Sequence, residues 1–246
     1  MSTAALCSFI DTDHNDLGLD DIIAALEQLV EQLGFSYFTL TRQLRVDDDV
    51  DTIMLAGCWP QGWPEIYVQR KYAAIDPMVR YLGHCQRGFR WSEPMAAFRT
   101  HPQRKRMERM MVDARKFGLE DGYVFPVHGR RGLIGVLTLG GTRVELTAGQ
   151  MALLDTVAKK VFWLVLERRD PEACEHLASP VDIDMTRREM ETLGFLAEGL
   201  TSHQVGSTLG LSTHTVDWYM NSIQDKLQAR NRHHAVAIAF RLGLIN

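Results

Sequence analysis

The C-terminal quarter of the chain contains three helix-start signals in close succession, which leave this region few ways to fold. Thr186-Arg-Arg-Glu189 has the form of a capping box, in which the threonine hydroxyl accepts a backbone amide and the glutamate reaches back to the cap. Thr201-Ser-His-Gln204 repeats that form, and Ser212 begins a third helix. A short helix of about residues 202–209, joined by a tight glycine-containing turn to the next, predicts a helix-turn-helix over about residues 202–221.

The third of these helices has an apolar face and an opposite face that carries aromatic and hydroxyl groups. The apolar residues, spaced by four, three and four positions, are Val216, Met220, Ile223 and Leu227. The outward residues are Thr215, Trp218, Tyr219, Ser222 and Lys226. In a DNA major groove such groups reach base edges, thymine methyl groups and phosphates. The pattern favours a DNA-reading helix, and a four-helix packing module whose outer aromatics contact another protein is the alternative.

Short segments throughout this region follow the pattern of a known family. They are Thr186-Arg-Arg-Glu-Met-Glu, Leu196-Ala-Glu-Gly199, Leu209-Gly-Leu-Ser212, Thr215-Val216, Lys226-Leu227, Asn231-Arg232, Ala235-Val236-Ala237 and Leu242-Gly-Leu-Ile245. These segments resemble the DNA-binding domain of LuxR-type transcription factors. The resemblance implies an all-α, four-helix domain over residues 186–246 that binds double-stranded DNA. The residues expected at the DNA are Thr201, Ser202, Thr213, Thr215, Trp218, Tyr219, Ser222, Lys226, Arg230 and Arg232.

The sequence departs from that family in ways that weaken its attraction to DNA. Position 217, often Asn in the family, is Asp here, and Leu200 replaces a usual Lys. The segment from residue 186 onward contains six Lys and Arg residues and five Asp and Glu residues, so its net charge is only +1. Phosphate neutralisation drives non-specific binding, which we therefore expect to be modest. A regulator that binds DNA poorly, acts without ligand or acts as an antagonist is the alternative function.

The chain as a whole has the composition of a two-domain globular protein. Its 246 residues are 46% hydrophobic and 24% charged, with a net charge of −4, so the signature of DNA binding is local to the C-terminal region. Four cysteines without CxxC spacing favour a reduced, cytoplasmic setting. The N-terminus lacks the features of a signal peptide, and no apolar run is long enough to span a membrane, so no membrane partner is expected.

Residues 1–169 predict an α-β-α sandwich with a largely antiparallel sheet, which makes the chain an α+β protein. Residues 1–18 are expected to be a loose lead-in, and the acidic residues 47–49 a solvated hairpin loop. Predicted helices span 20–33, 64–74, 102–117 and 147–169; predicted strands span 35–41, 52–56, 123–128 and 133–139, the last two as a hairpin. Residues 170–185 contain two X-Pro steps and scattered acids, which predicts an interdomain linker.

The helix predicted over residues 147–169 is apolar on almost every side. Such a helix needs burial partners on two sides. Its own sheet can cover one side, and we expect a second copy of the chain to cover the other, which makes a homodimer. Complete burial within a single domain is the alternative. A dimer places two recognition helices on half-sites about one helical turn apart, so an inverted-repeat operator is expected.

A cluster of aromatic residues and one carboxylate marks the N-terminal domain. Trp63 and Tyr67 are four residues apart and share a helix face, and each combines an apolar body with one hydrogen-bond donor. Asp76 adds an acceptor in an otherwise apolar segment. Aromatic walls with a few convergent polar groups suit a small amphipathic ligand. The same residues are also compatible with an ordinary core.

These residues belong to a longer pattern, which consists of Trp63-x-x-x-Tyr67, Asp76-Pro77, Trp91 and Gly122. Their order and spacing resemble the autoinducer-binding domain of LuxR-type receptors. The resemblance implies an N-acyl-homoserine lactone as the ligand. It further implies that Trp63 donates to the lactone carbonyl, that Tyr67 donates to the acyl carbonyl, and that Asp76 accepts the ligand amide N–H.

The same resemblance assigns further residues to the ligand. Trp91 is expected to pack on the lactone ring, Thr138 to supply a hydroxyl, and Trp59 to take a place commonly held by Tyr. The residues expected along the acyl chain are Tyr72, Val79, Leu40, Phe98 and Val124. These bulky side chains favour a short, branched or aryl acyl group without deciding among them.

An enzyme such as a lactone or amide hydrolase needs a nucleophile or a metal that this sequence does not offer. It contains no Gly-x-Ser-x-Gly elbow and no His-x-His or His-Glu-x-x-His spacing. We therefore expect no catalytic residue, no metal and no cofactor apart from the lactone ligand. A phosphorelay receiver ahead of the helix-turn-helix is a non-enzymic alternative, but no acidic strand-end pair precedes a βα repeat. The sequence predicts a quorum-sensing transcription regulator.

Overall fold

The computed structural model describes residues 3–43, 53–129, 132–178 and 183–245, and the chain forms two compact units that divide between residues 176 and 177. The helices are α1 Thr3–Asp11, α2 Leu19–Gln32, α3 Trp63–Gln69, α4 Pro77–Leu82, α5 Ser92–Ala97, α6 Arg104–Arg115, α7 Ala148–Arg169, α8 Pro171–Ala178, α9 Arg187–Ala197, α10 Ser202–Leu209, α11 Thr213–Lys226 and α12 Arg232–Leu242. The strands are β1 Tyr37–Arg42, β2 Met54–Cys58, β3 Phe89–Arg90, β4 Asp121–Gly129 and β5 Gly132–Gly141.

The first unit is the predicted α-β-α sandwich. Its sheet has the order β2-β1-β5-β4-β3, with antiparallel pairing of β1 with β2, β1 with β5 and β3 with β4. Side chains alternate between the two faces of a strand. A Cβ at Gly135 would lie 2.0 Å from the Phe162 ring of α7, and one at Gly140 would lie 2.9 Å from the Trp91 ring. One face therefore packs on α7 and the other on an aromatic cluster. The loop predicted at 47–49 lies outside the described residues.

Thr3–Asp11 form a helix, so the prediction of a loose lead-in over residues 1–18 was wrong for this segment. α1 packs on α7. The Lys160 ammonium on α7 donates to the carbonyls of Phe9, Ile10 and Thr12 at 3.4, 2.7 and 2.5 Å. The last carbonyls of a helix have no partner within it. A lysine far along the chain supplies those partners here and fixes the end of α1.

Replacing Lys160 with methionine should lower the free energy of unfolding by about 2 kcal/mol, because three carbonyls lose a charged donor while the aliphatic stem remains. Chemical denaturation followed by circular dichroism measures this change. Lys159→Met is the matched control, because Lys159 is 52% exposed and makes an ion pair with Asp155 one turn away, which contributes little. Equal losses in the two variants would contradict the role assigned to Lys160.

Helix α7 packs against elements of its own chain on more than one side, so the sheet is not its only partner within the chain. The sheet packs on α7, and so do α1 and α2. Val157, Val161 and Leu166 are fully buried. These contacts favour the alternative of burial within one domain, but Leu153 and Trp163 on α7 are only partly buried, and a homodimer remains a proposal.

Helix α8 lies where the sequence predicted the beginning of an irregular linker. Pro171 occupies its first turn, where the missing N–H of proline is no loss. The Asp170 carboxylate accepts the Ala173 amide at 3.0 Å. The first X-Pro step therefore begins a helix instead of preventing one. The domain bounds, with a linker over 170–185, remain predictions.

The second unit consists of the four predicted helices α9 to α12, and the first three begin at the expected residues. Thr186 and Thr201 each form a capping box, and Ser212 Oγ accepts the amide three residues later at 3.0 Å. α10 ends at Gly210, whose φ of 69° is the left-handed conformation that glycine favours. The stripe predicted on α11 is buried in the core, whose residues include Leu193, Val216, Met220, Ile223, Leu227, Ala235 and Ala239.

Candidate functional site

The carboxylate of Asp76 lies at the centre of the predicted ligand site. α3 places Tyr67 so that its hydroxyl donates to Asp76 Oδ2 at 2.8 Å. The other oxygen, Oδ1, accepts the Met78 amide at 2.8 Å and the Val79 amide at 3.4 Å, which caps the start of α4. Asp76 is only 8% exposed. Because a carboxylate oxygen can accept two hydrogen bonds, Oδ2 retains room for a donor from a ligand.

Burial governs the protonation of this pair. It raises the pKa of Asp76 above its ordinary value, and the hydrogen bonds from Tyr67 and two backbone amides only partly oppose that shift. The pKa of Tyr67 is also raised, first by burial and then by the neighbouring carboxylate. Within the described residues no basic side chain offsets the charge of Asp76. A carboxylate in this state is stabilised by any ligand that donates a hydrogen bond to it.

Trp63 lies among aromatic rings at the start of α3. Its ring centroid is 5.8 Å from that of Tyr67, 6.2 Å from that of Tyr72 and 5.9 Å from that of Phe117. Trp59 packs, partly buried, against the same cluster. In the part of the chain that the structure describes, the Trp63 indole N–H has no hydrogen-bond acceptor. It is therefore an unused donor beside the Tyr67–Asp76 pair.

Tyr72 presents its ring to this cluster while its hydroxyl bonds elsewhere. The helix predicted over 64–74 is interrupted at Lys71, which adopts a left-handed conformation with φ of 53°, and Tyr72–Ala74 form a 3-10 turn. The Tyr72 hydroxyl then donates to Asp113 Oδ2 at 2.7 Å. Asp113 was not predicted from the sequence. It lies on the buried stripe of α6, three residues after Met110, and an acid in such a stripe is the signal that identifies it.

Trp91 packs closely against two glycines of the sheet. A Cβ at Gly122 would lie 2.6 Å from its ring, and one at Gly140 would lie 2.9 Å away, which explains why the pattern needs glycine at 122. The Trp91 indole nitrogen is buried without a hydrogen-bond partner. Thr138, partly buried, lies on the same face of β5 as Gly140 because the two are separated by one residue.

The structure separates the residues expected along the acyl chain. Val124 belongs to the aromatic cluster, and Phe98 packs against it. Leu40 pairs across the sheet with Leu137, on the face that packs on α7, so it points away from the cluster. Val79 is 53% exposed and also lies outside the cluster. The structure therefore does not bring Leu40 and Val79 to the candidate site.

On the second unit, α11 exposes aromatic side chains on its outer face. Trp218 is 61% exposed, and the Tyr219 ring lies 5.2 Å from the Trp218 ring in an edge-to-face arrangement. Thr215 is partly buried. Other exposed residues predicted at the DNA are Thr201, Thr213, Arg230 and Arg232. The outer face of α11 thus offers two rings that can reach base edges.

The Asp217 carboxylate interacts with two of the side chains that were predicted to contact DNA. The Ser202 hydroxyl donates to Asp217 Oδ1 at 2.7 Å. A guanidinium nitrogen of Arg232 lies 3.9 Å from the same oxygen. The acid at this position therefore ties α10 to α11 and partly neutralises a predicted phosphate-binding arginine.

Glu189 bonds to two further residues that were predicted to contact DNA. Ser222 Oγ donates to Glu189 Oε1 at 2.6 Å, and Lys226 Nζ donates to Oε2 at 2.8 Å. Lys226 also donates to the Asp184 carbonyl at 2.7 Å. Burial opposes the ionisation of Glu189, but the hydrogen bonds from Lys226, Ser222 and Thr186 outweigh it and lower the pKa to about 2. The sequence indicated only the capping role of this glutamate.

The described residues were also searched for a metal site and for a membrane-spanning helix. No group of three or more His, Cys, Asp or Glu side chains there could hold a metal ion. None of the helices there is long and apolar enough to cross a membrane.

Comparison with known proteins relates both units to bacterial regulators. Residues 18–165 match the family described as the autoinducer binding domain, and residues 184–239 match the luxR family of bacterial regulatory proteins. The chain is 28% identical over 229 residues to the transcriptional activator protein BjaR1 of Bradyrhizobium diazoefficiens, covering 92% of this chain and 90% of that protein. It is 27% identical over 225 residues to the quorum-sensing regulator RhlR of Pseudomonas aeruginosa, with coverage of 91% and 89%.

Solved structures show the same arrangement of elements. SdiA of Escherichia coli aligns with a TM-score of 0.55 at 20% identity, covering 98% of this chain and 96% of SdiA. CepR2 of Burkholderia cenocepacia, described as an N-acylhomoserine lactone dependent transcription factor, aligns with a TM-score of 0.50 at 23% identity, covering 67% of this chain and 96% of CepR2. At these identities the likeness concerns the fold, which agrees with the α-β-α sandwich.

Proposed function

The chain belongs to the autoinducer-binding, LuxR-type family of bacterial transcription regulators, and we propose that it binds an N-acyl-homoserine lactone in its first unit and promoter DNA, as a homodimer, in its second. The relatives named above are transcription regulators and not enzymes. A lactone hydrolase is therefore not a candidate function.

The buried Tyr67–Asp76 pair is the observation that carries the ligand proposal. An acyl-homoserine lactone has one amide N–H between two carbonyl groups. Asp76 accepts that N–H, and the unused indole donor of Trp63 bonds the lactone carbonyl. The Tyr67 hydroxyl has one hydrogen to donate, and without ligand it donates to Asp76 Oδ2. Oδ2 can also accept the ligand amide N–H, and the Tyr67 hydroxyl can then turn to donate to the acyl carbonyl. Trp91 and Thr138 border the ring and the amide.

The DNA proposal rests on the exposed rings of α11. Two copies of this helix in a homodimer would enter successive major grooves, so the operator is an inverted repeat. Trp218 and Tyr219 supply base contacts, and Arg230 and Arg232 supply phosphate contacts. Lys226 contributes less, because Glu189 and a backbone carbonyl already engage its ammonium group.

A regulator with weak DNA binding is the second candidate, and Asp217 is the observation that favours it. Its carboxylate binds Ser202 and lies 3.9 Å from Arg232, and it adds negative charge to a face that must approach phosphates. From residue 186 onward the net charge is only +1. Affinity for DNA should therefore be modest and should fall only gradually with salt, because the salt dependence scales with the number of phosphates that the protein neutralises.

Two measurements test this proposed function. Mass spectrometry of the small molecule that co-purifies with the chain should identify an acyl-homoserine lactone. Fluorescence anisotropy should then show that the lactone-loaded chain prefers an inverted-repeat promoter fragment to random DNA. If the chain, saturated with candidate lactones, never preferred any promoter fragment, the regulatory function would be the wrong conclusion.

Replacing Trp218 with alanine should weaken binding to the inverted repeat about tenfold or more, because the lost base contacts are each worth about 1–3 kcal/mol. Binding to random DNA, which depends on phosphates, should change little. Val68→Ala is the control, since Val68 is 65% exposed on the first unit. A uniform loss on both DNAs would assign Trp218 to the phosphate backbone instead.

A further inference from the structure

A second concave site lies on the first unit, beside the aromatic cluster. The cavity has a volume of about 510 Å³ and is lined by Arg70, Tyr72, Arg106 and Arg109. Arg106 and Arg109 are three residues apart on α6, so they lie on one helix face. Arg70 follows the end of α3, and a guanidinium nitrogen of Arg106 lies 3.5 Å from the Arg70 carbonyl oxygen. Two helices therefore bring three arginines to one cavity.

The charge at this cavity is strongly unbalanced. Among the described residues, the carboxylate that bonds to the lining of this cavity is that of Asp113, which already accepts from Arg70 at 2.5 Å, Tyr72 at 2.7 Å and Lys116 at 2.7 Å. Across the described ranges, neither Arg106 nor Arg109 has a carboxylate partner. The acid between them, Glu108, pairs with Arg104 instead. Within the described ranges, the positive charge of three guanidinium groups and one ammonium group is thus opposed by the carboxylate of Asp113, whose acceptor capacity is largely used.

We propose that this cavity binds a small phosphate-bearing anion. Guanidinium groups match phosphate oxygens with paired, charge-assisted hydrogen bonds, and three arginines line this one cavity. The concave shape and the volume of about 510 Å³ fit a small molecule and not a DNA duplex.

The site is separate from the lactone site although both contact Tyr72. The Tyr72 ring packs against Trp63 on one side, and its hydroxyl meets Asp113 beside the arginines on the other. The ligand classes also differ, because Asp76 offers an acceptor to a neutral amide whereas the arginines offer donors to an anion. Binding of an anion therefore does not depend on the proposed lactone.

Titration calorimetry of the full chain with inorganic pyrophosphate tests this site, with ionic strength held constant by sodium chloride. We expect saturable binding with one anion per chain. The double variant R106Q/R109Q should bind at least tenfold more weakly, while R115Q, on the same helix but outside this cavity, should bind like the unchanged chain. All three residues are exposed, so equal denaturation midpoints should confirm that each variant is folded.

Three results would overturn the proposal. The first is heat that does not saturate with pyrophosphate. The second is equal affinity in R106Q/R109Q and in R115Q, which would mean diffuse charge attraction. The third is displacement of bound pyrophosphate by random duplex DNA at low concentration, which would assign the arginines to a macromolecule.

Discussion

A chain in which asparagine replaces Asp76 should bind its lactone about 10 to 100 times more weakly than the unchanged chain. A hydrogen bond to a charged acceptor contributes about 1.5–3 kcal/mol, and an amide oxygen is a weaker acceptor. The asparagine amide group can also direct a donor toward the ligand N–H, where two donors would repel. Calorimetry with the co-purifying lactone measures the affinity, and a promoter reporter measures the shift in dose-response.

Asparagine is the informative replacement because it preserves the start of α4. It caps helices as well as aspartate does, so its oxygen can continue to accept the Met78 amide. Burial raises the pKa of Asp76. The ionised carboxylate therefore costs folding free energy once the pH exceeds its unfolded pKa, and that cost grows until the pH reaches the folded pKa. Without lactone, the variant should resist denaturant at neutral pH at least as well as the unchanged chain.

Lost affinity with undiminished stability would separate a missing ligand contact from a damaged fold. Glu65→Gln is the matched control, because Glu65 lies on α3 two residues after Trp63 and is exposed. It should leave both the affinity and the reporter response unchanged. If the Asp76→Asn chain gave the same dose-response as this control, the role assigned to the carboxylate would be wrong.

Helix starts could be predicted from the sequence because each depends on contacts within three residues. Thr147, Thr186 and Thr201 all form the caps that their local sequence predicts. The apolar stripe of α11 is likewise a property of a single helix. The residues of the candidate ligand site were identified by their resemblance to a family pattern, and the bonded pair Tyr67–Asp76 agrees with that pattern.

Contacts between distant segments explain what could not be predicted. Lys160 donates a hydrogen bond to the end of α1, and Arg168 donates one to the loop that follows α1. Both side chains lie about 150 positions further along the chain. Lys71 breaks a helix through a left-handed conformation that non-glycine residues rarely adopt, so local propensity gives no warning. The hydroxyl of Tyr72 is diverted to Asp113 on another helix. Each of these outcomes requires knowing which segments meet.

Replacing Glu189 with alanine should lower the free energy of unfolding of the second unit by about 2–4 kcal/mol, because hydrogen bonds to a charged group and a helix cap are lost together. The substitution removes the capping box at Thr186 and the acceptor of Ser222 and Lys226. The Lys226 side chain is one-third exposed, so its ammonium group can turn to water. Hydrogen exchange of the full chain, resolved by mass spectrometry, measures this change in stability. Compared with the unchanged chain, the variant should exchange faster in α9 and α11, while the first unit should exchange at the same rate. DNA binding should fall because α11 is then held less firmly.

The pH dependence of the same unit has a definite direction. The pKa of Glu189 is lowered from 4.5 to about 2, so the stability it contributes is fully present above about pH 4.5 and is lost as the pH falls toward 2. Glu191→Gln is the matched control, because Glu191 pairs at the surface with Arg187 and Arg188 and such pairs contribute little. If α9 and α11 exchanged equally slowly in the Glu189→Ala and Glu191→Gln chains, the buried network would not be what holds the DNA-reading helix in place.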